Sequence, residues 1–556
     1  MGFACRNRLV RVGACWYCPR QGALNRKGDK MKRILCGALT AWLACVLVSC
    51  GGGTGDSVDA RPFSPPSNIV PAPTITGLLG LVVDSTNGTA VSGVTVTAGA
   101  LSTITDTQGN FALPTIPNGS NVVSFTLNTY APQSRTVQIS STIETSLIVQ
   151  IVPNGALDPF DPATGGTLTV AGSTGQIDIP GNSLRRADGS APSAGSATAL
   201  LTPIGPSLDA FLLPGEYVVQ PAAGGSAAQF ETFGGLDIRI TDAGGVALTN
   251  LVAPATIRIP VNSRNTTLPL TLALMRFDSA TGLWVEEGTA TLQGVAPNQY
   301  YEGTVTRIAT WTAGQIYTAS IITACVHDQA GAPVGGARVN SDGVDYSGGG
   351  TATTNASGVA LVPMKRGGAA VITGTSPRSS NSGTISAGQS ATDFTLIPCL
   401  IMPTAGMTIR LTWGAQPFDL DSHLKGPNNM HVFFASRGSL SAAPFAALDV
   451  DDVTSFGPEV ITILRLTQGT NEYFVHNFSG TFTPGQTGSP ARVEVRVGSQ
   501  IRIFFPGAGE ASNEYWRVFQ FVVGTDCSVT INPLVNSWSA TEPANPSGGA
   551  AGLFCS

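Results

Sequence analysis

Short runs of alternating apolar and polar residues, each ended by a tight-turn signal, recur along the chain and favour β-strands. Gly93-Val94-Thr95-Val96 places two valines on one strand face, and Asn87-Gly88 is a typical tight-turn pair. The chain contains 66 glycines and 37 prolines, which suit many turns, and its 556 residues allow three or four domains. The sequence therefore predicts an all-β protein built from several sandwich-like domains in tandem.

Composition argues against several classes of protein. Hydrophobic residues make up 42% of the chain and charged residues 12%, which is too apolar for a disordered protein. The four histidines leave little material for His-based catalysis, and no H-E-x-x-H, G-x-S-x-G or P-loop motif occurs. Without residues 1–49 the chain has 21 basic and 34 acidic residues, a net charge of −13. This charge, with no basic cluster, argues against nucleic acid as a partner.

The N-terminal segment has the pattern of a secretory signal. Met31-Lys32-Arg33 is basic, and the apolar run Ile34–Val48 is too short to span a bilayer as a helix. The following Leu47-Val48-Ser49-Cys50 resembles the lipobox of bacterial lipoproteins. The resemblance implies that Cys50 is lipidated, becomes the first mature residue and anchors the chain in the cell outer membrane, facing the periplasm or the surface. The alternative is an ordinary signal peptide or membrane anchor in which Cys50 has no role.

These motifs and the changes in composition divide the chain. Residues 1–49 form the leader, in which translation can also start at Met31, and residues 50–73 form a Gly- and Pro-rich tether. The predicted β-domains then cover residues 74–155, 156–320, 321–400 and 401–556.

The first β-domain contains Thr105-Asp106-Thr107-Gln108-Gly109-Asn110-Phe111, in which the Asp and Gly suit a turn between two strands. With Val82-Val83-Asp84 before it and the aromatic residues Phe125 and Tyr130 after it, this pattern resembles the transthyretin-like carboxypeptidase regulatory-like domain. In the parent enzymes this domain is non-catalytic, so the resemblance implies a transthyretin-like or immunoglobulin-like sandwich and no peptidase activity.

The same pattern returns in residues 321–400. Cys325-Val326-His327-Asp328 matches the first strand and Thr354-Asn355-Ala356-Ser357-Gly358 matches the turn, with Asn in place of Asp. Between the copies, motifs such as Phe277-Asp278-Ser279-Ala280-Thr281-Gly282 are similar to extracellular β-domains of cartilage intermediate layer proteins and astroprincin. That resemblance implies a matrix or surface component.

The C-terminal domain holds the main cluster of chemically active side chains. Extended backbone would place Asp419, Asp421 and His423 on one face, and Asp449-Val450-Asp451-Asp452 repeats the arrangement. Together with Gly457-Pro458-Glu459, these motifs resemble an uncharacterised bacterial β-sandwich family. The candidate metal ligands of this domain are Asp419, Asp421, His423, Asp449, Asp451 and Glu459.

Three roles for this cluster remain open. Carboxylate oxygens gathered from two loops suit Ca²⁺, whereas His423 fits Zn²⁺ better. The same aspartates can instead cap turns, with His423 hydrogen-bonded to one of them. Paired carboxylates can also act as acid and base in a hydrolase, although no motif points to a substrate.

Four cysteines follow Cys50 in the exported chain. In an oxidising compartment we expect Cys325–Cys399 and Cys527–Cys555 to form disulfides, because each pair lies within one predicted domain. The overall prediction is a lipid-anchored, non-enzymatic binding, adhesion or scaffold protein that contacts protein or glycan. A carboxylate-dependent hydrolase in the C-terminal domain is the alternative. For a glycan, Tyr515, Trp516 and Trp538 are the stacking candidates.

Overall fold

The computed structural model describes residues 77–555, apart from 141–142, 377–378, 386–387, 403–405, 454, 498–499 and 547–552. The predicted leader, the lipidated Cys50 and the tether lie outside the described residues. The described chain is nearly all β, as predicted. Within it, no helix is long and apolar enough to cross a bilayer.

Two small sheets face each other in the first β-region, residues 77–151. One has the strand order β4-β1-β7, with β1 parallel to β7, and the other has the order β3-β2-β5-β6. Val82 and Val149 from one sheet share a core with Val96 and Phe125 from the other. The strands are β1 (Leu78–Asp84), β2 (Thr95–Ala98), β3 (Leu101–Ile104), β4 (Asn110–Leu113), β5 (Gly119–Thr126), β6 (Gln133–Ile139) and β7 (Thr145–Ile151).

A single twelve-stranded sheet forms the second β-region, residues 156–316. Ile177 and Leu201 come from strands near opposite ends of this sheet but belong to one core, so the sheet folds over on itself. A 3₁₀ turn, Ala210–Leu212, interrupts the strands. The strands are β8 (Ala156–Phe160), β9 (Gly165–Thr169), β10 (Gln176–Pro180), β11 (Leu184–Arg186), β12 (Ala197–Ile204), β13 (Val218–Gln220), β14 (Ala228–Thr241), β15 (Leu248–Pro260), β16 (Thr271–Asp278), β17 (Leu283–Gln293), β18 (Tyr300–Arg307) and β19 (Thr310–Ile316).

The third β-region, residues 319–402, repeats the topology of the first. Its sheets run β23-β20-β26, with β27 also on β20, and β22-β21-β24-β25. The strands are β20 (Ala319–Asp328), β21 (Arg338–Gly343), β22 (Gly349–Thr353), β23 (Val359–Lys365), β24 (Ala370–Ser376), β25 (Ser379–Ile385), β26 (Thr395–Leu396) and β27 (Leu400–Met402).

The repeat extends to individual hydrogen bonds at the shared turn. The Thr105 hydroxyl donates to the Val91 carbonyl, and the Thr354 hydroxyl donates to the equivalent Val334 carbonyl. The Asp106 and Asn355 side chains each accept a backbone N–H four residues further on. Asn can therefore replace Asp here, because both side chains close the turn with the same oxygen.

Two sheets also form the fourth β-region, residues 407–555. Sheet one runs β31-β32-β33-β28-β35-β36, and sheet two runs β30-β29-β34-β37-β38 with β39 on β37. Trp413, Trp516 and Tyr473 lie in the core between them. The elements are β28 (Met407–Thr412), β29 (Asp421–Gly426), β30 (Met430–Val432), β31 (Gly438–Ser439), β32 (Ala446–Val450), β33 (Glu459–Ile463), β34 (Gly469–His476), the helix α1 (Gly485–Gly488), β35 (Arg492–Val497), β36 (Gln500–Phe504), β37 (Tyr515–Val523), β38 (Val529–Pro533) and β39 (Trp538–Ser539).

Both predicted disulfides are present. Cys325 is bonded to Cys399 in the third region, and Cys527 is bonded to Cys555 in the fourth. The second bond fastens the C-terminal tail to the loop between β37 and β38.

Candidate functional site

Three carboxylates meet at one end of the fourth β-region. Asp421 begins β29, Glu459 begins β33, and Asp451 directly follows β32, so strands of both sheets bring acids to the same end. One oxygen of each residue lies within 4.8 Å of the other two. We call Asp421, Asp451 and Glu459 the carboxylate cluster.

Each acid in this cluster keeps a buried oxygen that has no hydrogen-bond partner among the described residues. The Ser422 N–H donates to Glu459 Oε2 at 2.5 Å, and Arg437 pairs with Asp451 Oδ2. Glu459 Oε1, Asp451 Oδ1 and Asp421 Oδ2 accept no hydrogen bond from the part of the chain described. A buried anionic oxygen without a partner is costly, so this arrangement favours a proton or a cation among the three oxygens.

The pKa values of two of these acids are raised for the same reason, because burial disfavours their charged forms. Burial raises the pKa of Glu459 well above its usual range, and the charge of Asp421 adds to the effect. Burial likewise raises the pKa of Asp421. The nearby Asp419, which precedes β29, has its pKa raised to about 6 by burial and by Asp421. The acids therefore repel one another in a poorly solvated place.

Asp449 does not join the cluster, because a β-bulge interrupts β32. Leu448 pairs with Ile461, but the next paired residue is Val450, opposite Val460. Leu448 and Ile461 face the core of the fourth region, whereas Val450 and Val460 pack together on the other face of sheet one. Because of the bulge, the side chains of β32 no longer alternate regularly between the two faces of the sheet. Asp449 and Asp451 therefore do not share one face as the sequence predicts.

Asp449 instead hydrogen-bonds to Thr462 of β33, whose hydroxyl lies 3.4 Å from Asn381 Oδ1 of the third region. Thr462 follows Val460 by two positions, so both side chains project from the same face of β33. Burial raises the pKa of Asp449 to about 7. The structure therefore places this predicted ligand on the face of sheet one opposite to that of Glu459.

His423 lies beside the cluster, on the outer face of sheet two. Its side chain is 2% exposed, and its Nδ1 lies 2.9 Å from His431 Nε2. The other ring nitrogen, Nε2, is buried and has no hydrogen-bond partner within the described chain. Burial lowers the pKa of His423 to about 2, so the ring is neutral at physiological pH and Nε2 can offer a lone pair.

His476 joins this group, although no sequence motif pointed to it. It pairs with Asp421 across β29 and β34, and one ligand atom each of Asp421, His423 and His476 lies within 4.8 Å of the others. The alternation of Phe474 and His476 along β34 indicates a shared face, but only the strand register shows which residues of β29 they meet.

The aromatic residues considered for glycan stacking differ in their surroundings. Trp516 is 2% exposed and belongs to the core, so it offers no ring face to a sugar. Tyr515 stacks on His476 with ring centroids 4.5 Å apart. The indole N–H of Trp538 donates to the Ala508 carbonyl.

Comparison with known proteins identifies one segment of the chain. Residues 77–151 match the family described as "Carboxypeptidase regulatory-like domain", which confirms the predicted resemblance for the first β-region. No curated protein matches the chain.

Solved structures give weak likenesses. The unknown function protein SAV2460 is 18% identical, with 25% of this chain and 92% of that chain covered and a TM-score of 0.20. The Bacillus anthracis TIE protein is 10% identical, with 59% of this chain and 50% of that chain covered and a TM-score of 0.13. BcpA, the major pilin subunit of Bacillus cereus, is 9% identical, with 59% of this chain and 98% of that chain covered and a TM-score of 0.13. Scores this low support no functional assignment.

Proposed function

We propose that this chain is a membrane-anchored extracytoplasmic lipoprotein that acts as a non-enzymatic binding, adhesion or scaffold protein. The lipobox-like segment before Cys50 supports the anchor. The match of residues 77–151 to a regulatory-like domain, rather than to a catalytic domain, supports the non-enzymatic role. We also propose that the third β-region is a second domain of that kind, because it repeats the topology of the first.

The observation that carries the scaffold proposal is a buried polar junction shared by all four β-regions. Gln150 of the first region donates to Asp209 of the second and to Glu494 of the fourth, at 3.0 Å each. Asp342 of the third region accepts from Arg264 of the second at 2.6 Å. Charges buried between regions favour one arrangement, because any other leaves them unpaired.

Metabolic labelling with radioactive palmitate tests the anchor. The wild-type chain should carry label in the membrane fraction, and Cys50→Ser should carry none. Cys45→Ser, five residues earlier in the apolar run, is the matched control and should keep the label. Equal labelling of the Cys50→Ser chain would overturn the anchoring proposal.

We further propose that the carboxylate cluster binds Ca²⁺, with Asp419 beside it. One oxygen of each acid lies within 4.8 Å of the other two, and each acid has a buried oxygen without a hydrogen-bond partner among the described residues. Both observations support a cation there, and hard carboxylate oxygens are the ligands that Ca²⁺ takes. Binding to the folded state alone stabilises it, by about 2.7 kcal/mol at a ligand concentration of 100 Kd. Ca²⁺ should therefore raise the Tm of the full chain, and a chelator should reverse the rise.

The alternative activity, a carboxylate-dependent hydrolase, uses the same residues. The raised pKa of Asp419, about 6, is the observation that favours it, since a general acid needs such a value. Asp421→Asn and Asp451→Asn separate the two functions. Loss of a hydrolytic activity in both variants would support the enzyme, whereas loss of only the Ca²⁺ response would support the binding protein.

A further inference from the structure

We propose that Asp421, His423 and His476 bind a transition-metal ion, best matched by Zn²⁺, at a second site beside the carboxylate cluster. This inference goes beyond the proposed function and shares only Asp421 with the Ca²⁺ proposal. Asp421 faces His476 across the antiparallel pair β29 and β34, and His423 follows Asp421 by two residues. The three side chains therefore project from the same face of sheet two.

The spacing of the ligand atoms fits one small ion. Asp421 Oδ2 lies 3.5 Å from His476 Nδ1, which is long for a hydrogen bond. Two ligands bound at about 2.0–2.1 Å in tetrahedral geometry are about 3.3 Å apart. The two atoms are thus spaced as ligands of a common ion, and one ligand atom each of Asp421, His423 and His476 lies within 4.8 Å of the others.

Two of the candidate ligand atoms are buried without a hydrogen-bond partner among the described residues. His423 is 2% exposed, and its Nε2 forms no such bond. Asp421 is 3% exposed, and its Oδ2 has only the 3.5 Å contact with His476 Nδ1 within the described chain. Buried polar atoms are normally paired, and an ion bound between these two would pair both.

The outer partners of the histidines leave the required nitrogens available. His423 Nδ1 contacts His431, which leaves Nε2 for the ion. His476 Nε2 lies 3.7 Å from Glu514 Oε2, which leaves Nδ1. Metal-bound histidines commonly have such partners, which fix the orientation of the ring.

Stacked rings hold the two imidazoles in place. Phe474 stacks on His423 with centroids 4.8 Å apart, and Tyr515 stacks on His476 at 4.5 Å. Two imidazole nitrogens and one carboxylate oxygen are a typical Zn²⁺ set, and three protein ligands leave a fourth position for water or another ligand. Ca²⁺ prefers oxygen ligands, so this set selects against it.

Binding of Zn²⁺ and Co²⁺ to the full chain tests the inference. We expect about one Zn²⁺ per chain, and the visible absorption bands of a four-coordinate Co²⁺ complex. His476→Phe keeps an aromatic ring against Tyr515 and should weaken Zn²⁺ binding by at least 100-fold. His327→Phe, the same substitution in the third β-region, is the matched control and should leave Zn²⁺ binding unchanged.

The outcomes separate the two metal proposals. Loss of Zn²⁺ binding in His476→Phe supports the second site, whether or not the carboxylate cluster binds Ca²⁺. No Zn²⁺ bound by the wild-type chain at micromolar concentrations would overturn it. Equal Zn²⁺ affinity in the wild-type and His476→Phe chains would overturn it as well, and circular dichroism checks that the variant is folded.

Discussion

Arg492 and Gln150 are 342 residues apart in the sequence, yet Arg492 Nη2 donates a hydrogen bond of 2.6 Å to Gln150 Oε1. The bond joins the fourth β-region to the first. Arg492 also pairs with Glu494 at 2.9 Å, and its side chain is only 1% exposed. The polar junction thus connects the first and fourth β-regions through buried side chains.

Removal of the Gln150 amide should weaken this junction. Gln150→Ala leaves buried groups of Asp209, Glu494 and Arg492 with one partner fewer, at a cost of about 1–3 kcal/mol in the free energy of unfolding. Gln108→Ala, at an exposed position of the same region, is the control and should cost less than about 0.5 kcal/mol. Denaturant titration measures both. If Gln150→Ala and Gln108→Ala lower the free energy of unfolding equally, the polar junction does not stabilise the folded chain.

A larger effect should follow from loss of a buried charge. The Arg264 side chain is fully buried and pairs with Asp342, so Arg264→Met leaves a carboxylate with one cation fewer and should cost about 3–5 kcal/mol. Arg258→Met breaks a pair with Glu302 that is about one-third exposed and should cost at most about 1 kcal/mol. If both variants lose the same free energy of unfolding, the buried pair stabilises the chain no more than the exposed pair does.

The disulfides should stabilise the chain according to the loops they close. The Cys527–Cys555 bond spans 28 residues, and its replacement by two serines should cost about 3.6 kcal/mol in the chain-entropy model. The Cys325–Cys399 bond spans 74 residues and should be worth about 4.4 kcal/mol. Denaturant titration of each double-serine variant measures the contribution of its own bond, and unfolding with a reductant measures the loss of both bonds together. A wild-type chain whose stability does not change with the reductant would contradict this expectation.

Much of the fold could be predicted from local patterns. The turn at Thr105 and Asp106 and its repeat at Thr354 and Asn355 are set by side chains that bond to nearby backbone, so short motifs are sufficient. Both disulfides also followed from the order of the cysteines. The predicted domain boundaries, the lipidation of Cys50 and the metal ligands stay predictions.

The site was harder to predict, because it depends on strand register. The pairing of Asp421 with His476 joins strands about 50 residues apart in sequence, and no local signal encodes it. The bulge at Asp449 is also invisible to simple alternation, which would place Asp449 and Asp451 on one face. Local sequence patterns identified the acidic residues, but the long-range pairing of strands determines which of them lie together.

Stability should depend on pH in a way that identifies Asp449. Its pKa is about 7 in the folded chain against 3.8 ordinarily, so the folded state binds more protons and stability rises as pH falls. Between pH 8 and 6.5 this amounts to about 0.8 kcal/mol. Asp449→Asn should remove that gain, and denaturant titration at both pH values measures it. If the wild-type and Asp449→Asn chains gain the same stability between pH 8 and 6.5, Asp449 is not the group responsible.

Equilibrium dialysis of the full chain against Ca²⁺ tests most directly whether the carboxylate cluster is a cation site. We predict saturable binding of about one Ca²⁺ per chain, with a Kd no weaker than about 10⁻³ M. In Glu459→Gln, whose amide oxygen can still accept the Ser422 N–H, affinity should fall at least tenfold. No saturable binding at millimolar Ca²⁺, or equal binding by wild type and Glu459→Gln, would contradict the proposal.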